Sequence, residues 1–306
     1  MLTPVERLGD LLFKREDLFQ PYFDTPLNGS KLRQMINLIE GNLIDIVHNH
    51  NRAVITYTSV VSPQSVIVAR VAKEYGLKCV IVIGTTDLRK SIESNHFLKW
   101  SEELGANIVA GSKISYNNVL YAKMLELNKQ INAFVIKFGI DSDKYENFVI
   151  DPIAKQVANI PDRLANLIIP VGSAICTKGI FKGILDYGKK VDNIYCVQIS
   201  GYDRSDVINK YLDKKLHYGF RLIDEREIGN RYIFYRDFLP IPQGIVFEYT
   251  FVPDKTYPYS KKVVADHDGV IDFDTRYESK AYMFYKRNKD IMKGETLFWI
   301  VGNNTK

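Results

Sequence analysis

The sequence predicts an α/β protein of two domains, each an open, twisted, mostly parallel sheet with helices on both faces. Three observations carry this. Short β-branched runs alternate with segments of helical apolar spacing along most of the chain. Glycines stand where several of those helices must stop, as Gly76 and Gly105 do. No internal repeat and no low-complexity stretch interrupts the pattern. A strand, helix, strand rhythm brings successive strands parallel, because each crossover returns the chain to the same edge.

The first β-branched run is 53–57, Ala-Val-Ile-Thr-Tyr, followed by a helix over 65–75 with Val68, Val71, Ala72 and Tyr75 on one face. A strand at 79–84, a helix at 88–104, a strand at 107–110, a helix at 116–130 and a strand at 133–136 come next. These units form one block, 36–142, and define a small domain; 1–35 with 143–306 make the larger one. There the pattern resumes with helices at 148–158, 177–187, 203–212 and 278–288, and strands at 167–171, 194–198 and 296–301. The stretch 214–270, rich in Tyr, Pro and charge, has too weak a period to assign.

Composition narrows the function. The chain has 306 residues, 46% of them hydrophobic, and is rich in Tyr (19) and Phe (16), which suits a large packed core rather than disorder. Cys79, Cys176 and Cys196 are odd in number and widely spaced, against a disulfide framework or a zinc site. His48 and His50 lack a third ligand at useful spacing, so no metal is expected. No apolar run spans a bilayer, and Met1–Glu6 lacks the blocks of a secretory signal, so the expectation is a cytoplasmic protein without a membrane partner. A net charge of +5 suits anionic ligands and does not by itself indicate nucleic acid.

The chemistry-bearing segment is Lys14-Arg15-Glu16-Asp17-Leu18, then a turn-rich loop, then Asn28-Gly29-Ser30-Lys31-Leu32-Arg33. Ser30 suits a helix N-cap, which puts Lys31 in the first turn. The positive end of the helix dipole disfavours an ammonium, and a less protonated lysine is the form that makes an imine with an aldehyde. Without a surrounding motif such a lysine is usually a solvated surface residue.

Here the motif is present. Thr3-Pro4, Lys-Arg-Glu-Asp-Leu and Asn-Gly-Ser-Lys-x-Arg resemble the aminocyclopropane-carboxylate deaminase and D-cysteine desulfhydrase family, within the tryptophan-synthase-β-like, fold-type-II group. The resemblance continues through Ser62-Pro63-Gln64-Ser65 and its helix, Leu104-Gly105-Ala106, and Asp272-x-x-x-Arg276-Tyr277-Glu278-Ser279-Lys280-Ala281, to Gly302. Ser94-Asn95-His96 looks like the cofactor loop but falls one unit too late.

The resemblance implies pyridoxal 5'-phosphate bound through Lys31, a small amino-acid-like substrate and a homodimer. It implies that Ser62 lies near the reacting centre, Tyr277 faces the substrate and Glu278 approaches the pyridine nitrogen. The strand-to-helix loop Gly172-Ser173-Ala174-Ile175-Cys176-Thr177 corresponds to the family's phosphate loop. Read singly, Ser62 is also an ordinary loop serine, Tyr277 a core tyrosine and Glu278 a solvent-facing acid.

Three segments depart from the family pattern. Pro63 replaces an asparagine that bonds the ring, and Thr58-Ser59 replaces Gly-Gly. Ala174-Ile175-Cys176 stands for Gly-Gly-Thr, where positive φ is lost and a different loop conformation is expected. Two readings follow. One is a lyase or deaminase working by β-elimination, with decarboxylation or β-replacement open, on an amino acid or one attached to a larger carrier such as a modified DNA base. The other is a non-catalytic homologue serving as a binding or scaffold protein. A generic nucleotide binder has no glycine-rich fingerprint to support it.

Overall fold

In a computed structural model of the chain, which describes residues 1–113, 116–142, 144–199, 203–216, 218–226, 229–236, 247–252 and 261–302, the strands assemble into two main sheets. The chain divides into two compact units, Met1–Ser30 with Ile150–Lys306, and Lys31–Val149. It crosses between them at 30/31 and 149/150, where the sequence reading divides it at 35/36 and 142/143.

The smaller unit holds a four-stranded parallel sheet. Its strands are β3 (Ala53–Thr58), β4 (Lys78–Gly84), β5 (Asn107–Ser112) and β6 (Phe134–Ile136), in the order β5-β4-β3-β6. All six residues of β3 are buried, as a central parallel strand covered on both faces requires. Ile55 and Tyr57 pack with Val80, Val82, Leu120 and Met124, the last two from α6 (Asn117–Ile131). Helix α3 (Gln64–Glu74) is buried from Gln64 through Ala72, so it is a core helix rather than a surface one. Around these lie α1 (Ser30–Gly41) and α2 (Leu43–Asn49).

The single helix expected over 88–104 is two, α4 (Leu88–Ser94) and α5 (His96–Glu103). Asn95 separates them. Its side-chain oxygen accepts from the N–H groups of Phe97 (3.0 Å) and Leu98 (3.3 Å), so the triplet that resembles a cofactor loop is a helix cap. Periodicity carries through the break, which hides it from apolar spacing alone.

The larger unit is built on an eight-stranded sheet in the order β1-β2-β14-β7-β8-β11-β10-β9. These are β1 (Val5–Leu8), β2 (Leu11–Arg15), β7 (Arg163–Val171), β8 (Lys190–Gln198), β9 (Tyr218–Arg226), β10 (Gly229–Arg236), β11 (Phe247–Val252) and β14 (Thr296–Ile300), and a two-stranded ribbon, β12 (Asp266–His267) with β13 (Ile271–Asp272), stands apart. From β2 to β11 every pairing is parallel; β1, β10 and β9 join antiparallel. Part of the unassigned 214–270 stretch therefore forms antiparallel strands, whose charged residues interrupt the apolar alternation. Strand β14 is fully buried, with Phe298 in register with Phe13 and Ile168 on its two sides. Phe273, Tyr282 and Phe284 pack on that face; the last two belong to α10 (Glu278–Asn288). Helices α7 (Glu146–Ala154), α8 (Ile175–Asp186) and α9 (Ser205–Leu216) complete the chain. Among the described residues no helix is long and apolar enough to cross a membrane.

The Asn95 cap carries a simple expectation. Asn95→Ala lowers the unfolding free energy by about 1 kcal/mol, the usual cost of a lost N-cap, read by denaturant melts; an unchanged midpoint would show that the break between α4 and α5 does not need the cap.

Candidate active site

In the larger unit the site is organised by the end of the central strand. Beyond β14 the chain continues through Val301 and Gly302, whose N–H groups both point at Glu278, the first residue of α10. Glu278 Oε1 accepts from Val301 N at 2.8 Å and Gly302 N at 3.0 Å. The carboxyl is wholly buried, and its other oxygen, Oε2, has no hydrogen-bond partner among the described residues. Burial pushes Glu278 well above the ordinary carboxylate range, and buried Asp274 adds to this, while the backbone donors pull the other way. A carboxyl with one oxygen fixed and the other open is the group that can hold a protonated heteroaromatic nitrogen.

Asp274 sets the approach to that helix. Its Oδ1 accepts from the N–H groups of Arg276 (2.7 Å) and Tyr277 (3.0 Å), closing an Asx-type turn that delivers Tyr277 and Glu278 in succession. Burial raises its pKa as well, opposed by those two N–H bonds. Asp274, three residues before Tyr277, is thus the acid that anchors the segment, and not the exposed Asp272 of the sequence comparison. The spacing Asp-x-x-Tyr was the available signal.

The loop between β7 and α8 lies against this segment. A Cβ added to Gly172 would sit 3.1 Å from Tyr277 Cε1, so the structure brings Gly172 and Tyr277 together, and Gly172 makes room for the ring. Ser173 and Cys176 are partly exposed, and Ile175 opens α8. Ala174 is buried at φ +69°. The left-handed conformation is therefore kept with an alanine in glycine's place, at a cost of roughly 1–2 kcal/mol. The positive φ expected to be lost with the glycine is present at Ala174. Thr177, in the first turn of α8, is buried with its Oγ1 unpartnered among the described residues. A helix start with such a hydroxyl is suited to a phosphate.

Ser30, the residue before Lys31, belongs to this unit. Its N–H donates to Val301 O at 2.7 Å and its hydroxyl to Glu16 Oε2 at 3.4 Å, rather than capping its own helix. Glu16 is fully buried and also accepts from Thr3 Oγ1 at 2.5 Å. Lys14, equally buried, donates to Thr3 O and Asn159 Oδ1, both at 2.7 Å. The Lys-Arg-Glu-Asp motif is thus a buried fastening between the N-terminal segment and the residue that starts α1, a role the sequence comparison did not reveal. A Cβ on Gly29 (φ +92°) would come within 2.4 Å of Val301 O, so glycine is obligatory there.

In the smaller unit Lys31 is half-buried, with Nζ 5.9 Å from the centre of the Phe138 ring. The same segment is gripped by Gln64, missed from the sequence. Gln64 Nε2 donates to Lys137 O (3.0 Å) and Thr56 Oγ1 (3.0 Å), and its Oε1 accepts from Gly139 N (2.8 Å). Gly139 and the β-branched Ile140 both have positive φ, +78° and +62°, so strain is held beside Lys31's neighbour. Ser62 is buried; its hydroxyl accepts from Gln64 N at 3.3 Å and its carbonyl from Ser65 Oγ at 3.2 Å. Pro63, at φ −67°, precedes α3 in a conformation proline prefers, which explains it locally as a helix starter.

Each unit by itself carries residues that suit pyridoxal phosphate: the larger a phosphate-type helix start with the Thr177 hydroxyl and the second oxygen of Glu278 for a ring nitrogen, the smaller an amine at Lys31.

No family model matches the chain. Over 350 aligned positions it is 28% identical to the O-seryl-dTMP PLP-dependent decarboxylase of Salmonella phage ViI, covering 95% of this chain and 77% of the relative. An ACC deaminase homologue superposes with a TM-score of 0.70 at 16% identity, over 99% of this chain and 89% of that one. Diaminopropionate ammonia lyase of Escherichia coli superposes at 0.63 and 11% identity, over 100% and 84%. The chain has the tryptophan-synthase-β-like fold, the fold-type-II architecture of pyridoxal-phosphate enzymes.

Two expectations follow. Ala174→Gly relieves about 1–2 kcal/mol of left-handed cost against about 0.5–1 kcal/mol lost to glycine's freedom when unfolded, so it raises stability by roughly 0.5–1 kcal/mol in a denaturant melt. The second concerns Glu278. Its folded pKa lies above its ordinary 4.5, so the folded chain keeps a proton the unfolded chain releases, and that stability is lost as pH rises through the folded value. Glu278→Gln cannot titrate. The stability of the cofactor-free variant relative to wild type is therefore expected to grow as pH rises above about 4.5; a difference flat with pH refutes this.

Proposed function

We propose that this chain is a pyridoxal-phosphate-dependent lyase that removes the α-carboxylate, as CO2, from an amino acid carried on a deoxynucleotide. The observation that carries the cofactor assignment is the Glu278 carboxyl, buried, fixed through one oxygen and open at the other. The sequence likeness to a decarboxylase over 95% of the chain favours this outcome over the β-elimination or deamination read from the sequence.

When bound, pyridoxal phosphate supplies an electron-poor ring that accepts the electron pair left as a bond to the α-carbon breaks. Lys31 supplies the amine that holds it. The start of α8, with the N–H groups there and the Thr177 hydroxyl, takes the phosphate. Glu278 would share a proton with the ring nitrogen at its second oxygen; burial favours the protonated carboxyl when no partner is there. Tyr277, beside Gly172 and fixed through its N–H to Asp274, would act as a proton donor. Ser62 accepts from Gln64 N and so keeps its own hydrogen to donate.

Pro63 favours loss of the carboxylate in particular. By resemblance the 62–64 loop borders that group. Proline removes one backbone N–H from the loop, and the side-chain bond to the ring goes with the asparagine. A carboxylate with fewer donors is less well stabilised relative to the transition state for losing CO2, which has less charge on those oxygens. The overall change replaces the C–COO⁻ bond with C–H: the amino acid takes up one proton and yields an amine and CO2.

Purified protein supplied with pyridoxal phosphate is expected to show the visible absorbance of a lysine-bound cofactor, and Lys31→Ala to lose it. With a seryl-bearing deoxynucleotide, CO2 and the amine should appear in equal amounts, without 2-oxo acid or ammonia. A 2-oxo acid with ammonia would instead identify β-elimination, and a colourless wild type would end the assignment.

A further inference from the structure

Phe23 has no role in the site described so far. Its ring is fully exposed, at 102% of the reference area, more than any other large hydrophobic residue among those described. Leaving a Phe in water forgoes about 1.5–3 kcal/mol of burial. Yet its surroundings are not a loose tip. The flanking Tyr22 and Leu27 are buried, at 8% and 1%. The loop closes at its base through Gly29 N to Phe19 O at 3.0 Å. Within it, Gln20 Nε2 donates to Thr25 O at 3.1 Å and Asn28 Nδ2 to Pro26 O at 3.2 Å. Pro21 and Pro26 restrict its φ angles further. This is a short loop packed by its own side chains that presents one aromatic ring outward.

The base of the loop is part of the cofactor half-site. Gly29 is in close contact with Val301 and Gly302, whose N–H groups hold Glu278. Phe23 lies six residues before Gly29, within roughly 20 Å of it even fully extended. A nucleotide joined to the reacting amino acid has that kind of reach, and its flat base is the part that an exposed ring can cover. Asp24, next in sequence and exposed, disfavours a phosphate at the same spot, so the loop is suited to a base and not to the sugar-phosphate chain. Attraction of the chain as a whole comes from the +5 net charge.

We propose that Phe23 is a stacking platform for a nucleobase and thereby a specificity residue for a nucleotide-borne substrate. This rests on the reading above that the amino acid is carried on a nucleotide. The base arrives either as a free deoxynucleotide or within a DNA strand, and the test separates the two.

Holoenzyme is titrated with a labelled short oligo-deoxythymidylate, with the same strand made abasic, and with dTMP as competitor. Wild type should prefer the thymidylate strand to the abasic one. Phe23→Ala should lose about 5- to 150-fold in thymidylate affinity, the range one stacked base supplies, with no change on the abasic strand. Its salt dependence, melting temperature and cofactor absorbance should match wild type, and Phe23→Trp should restore binding. Competition by dTMP at equal nucleotide concentration assigns the site to the free nucleotide; weaker competition assigns it to a strand. Thymidylate binding by Phe23→Ala equal to wild type, or no binding of either ligand by wild type, overturns the proposal. Cofactor absorbance and CO2 release are measured on the same samples. If those persist while the binding prediction fails, the stacking site falls and the enzymatic reading stands.

Discussion

The residues beyond the central strand of the larger sheet impose the constraint on which the rest of the site depends. Val301 and Gly302 give their two N–H groups to one buried carboxyl oxygen of Glu278, and Val301 gives its carbonyl to Ser30. An acid with no exposed surface costs several kcal/mol unless its oxygens are met, and bonds from two backbone donors return roughly 1.5–3 kcal/mol each. A single strand end therefore fixes where α10 begins and where α1 begins. The close packing of Gly29 on Val301 and Gly302 follows from the same requirement, because a side chain at Gly29 would collide with the carbonyl that Ser30 uses.

Each unit holds features that are unfavourable in isolation. Two acids, Asp274 and Glu278, are buried within one short segment, each raised by its surroundings. Lys14 and Glu16 are buried near the N-terminal segment, satisfied by Thr3 and Asn159 and by Thr3 and Ser30 respectively. Ala174 and Ile140 sit at positive φ without being glycine. Such costs persist where surrounding packing over-determines them. The second oxygen of Glu278 and the Thr177 hydroxyl are likewise costly, being buried with no hydrogen-bond partner among the described residues.

Much of this was legible in residue order. The parallel sheets follow from β-branched runs separated by amphipathic helices, and the helix over 278–288 and the strand ending near 300 were readable to within a residue. Gly76 and Gly105, both with positive φ, mark helix ends as expected. Lys31 stands out because its motif places a lysine at a helix start. Where the reading failed, the cause was a partner distant in sequence or a feature that periodicity does not register. The helix over 88–104 breaks because Asn95 turns its side chain to the N–H groups of Phe97 and Leu98, although the apolar spacing carries on. The stretch after 214 pairs as antiparallel strands at a sheet edge, where charged residues blur alternation.

The amino-acid sequence by itself determined the class of fold, the positions of most helices and strands, and the lysine with its flanking loops, because these depend on local period, turn chemistry and short motifs. Only the tertiary structure decided what each residue does there. It alone identified Asp274 rather than Asp272 as the anchoring acid and Gln64 as the clamp on 137–139. It alone showed that Pro63 starts a helix, that Ala174 can take a glycine's conformation, and that one oxygen of Glu278 is left open. The physical reason is that hydrogen-bond satisfaction and burial belong to groups far apart in the chain, and no local pattern records which of them will meet.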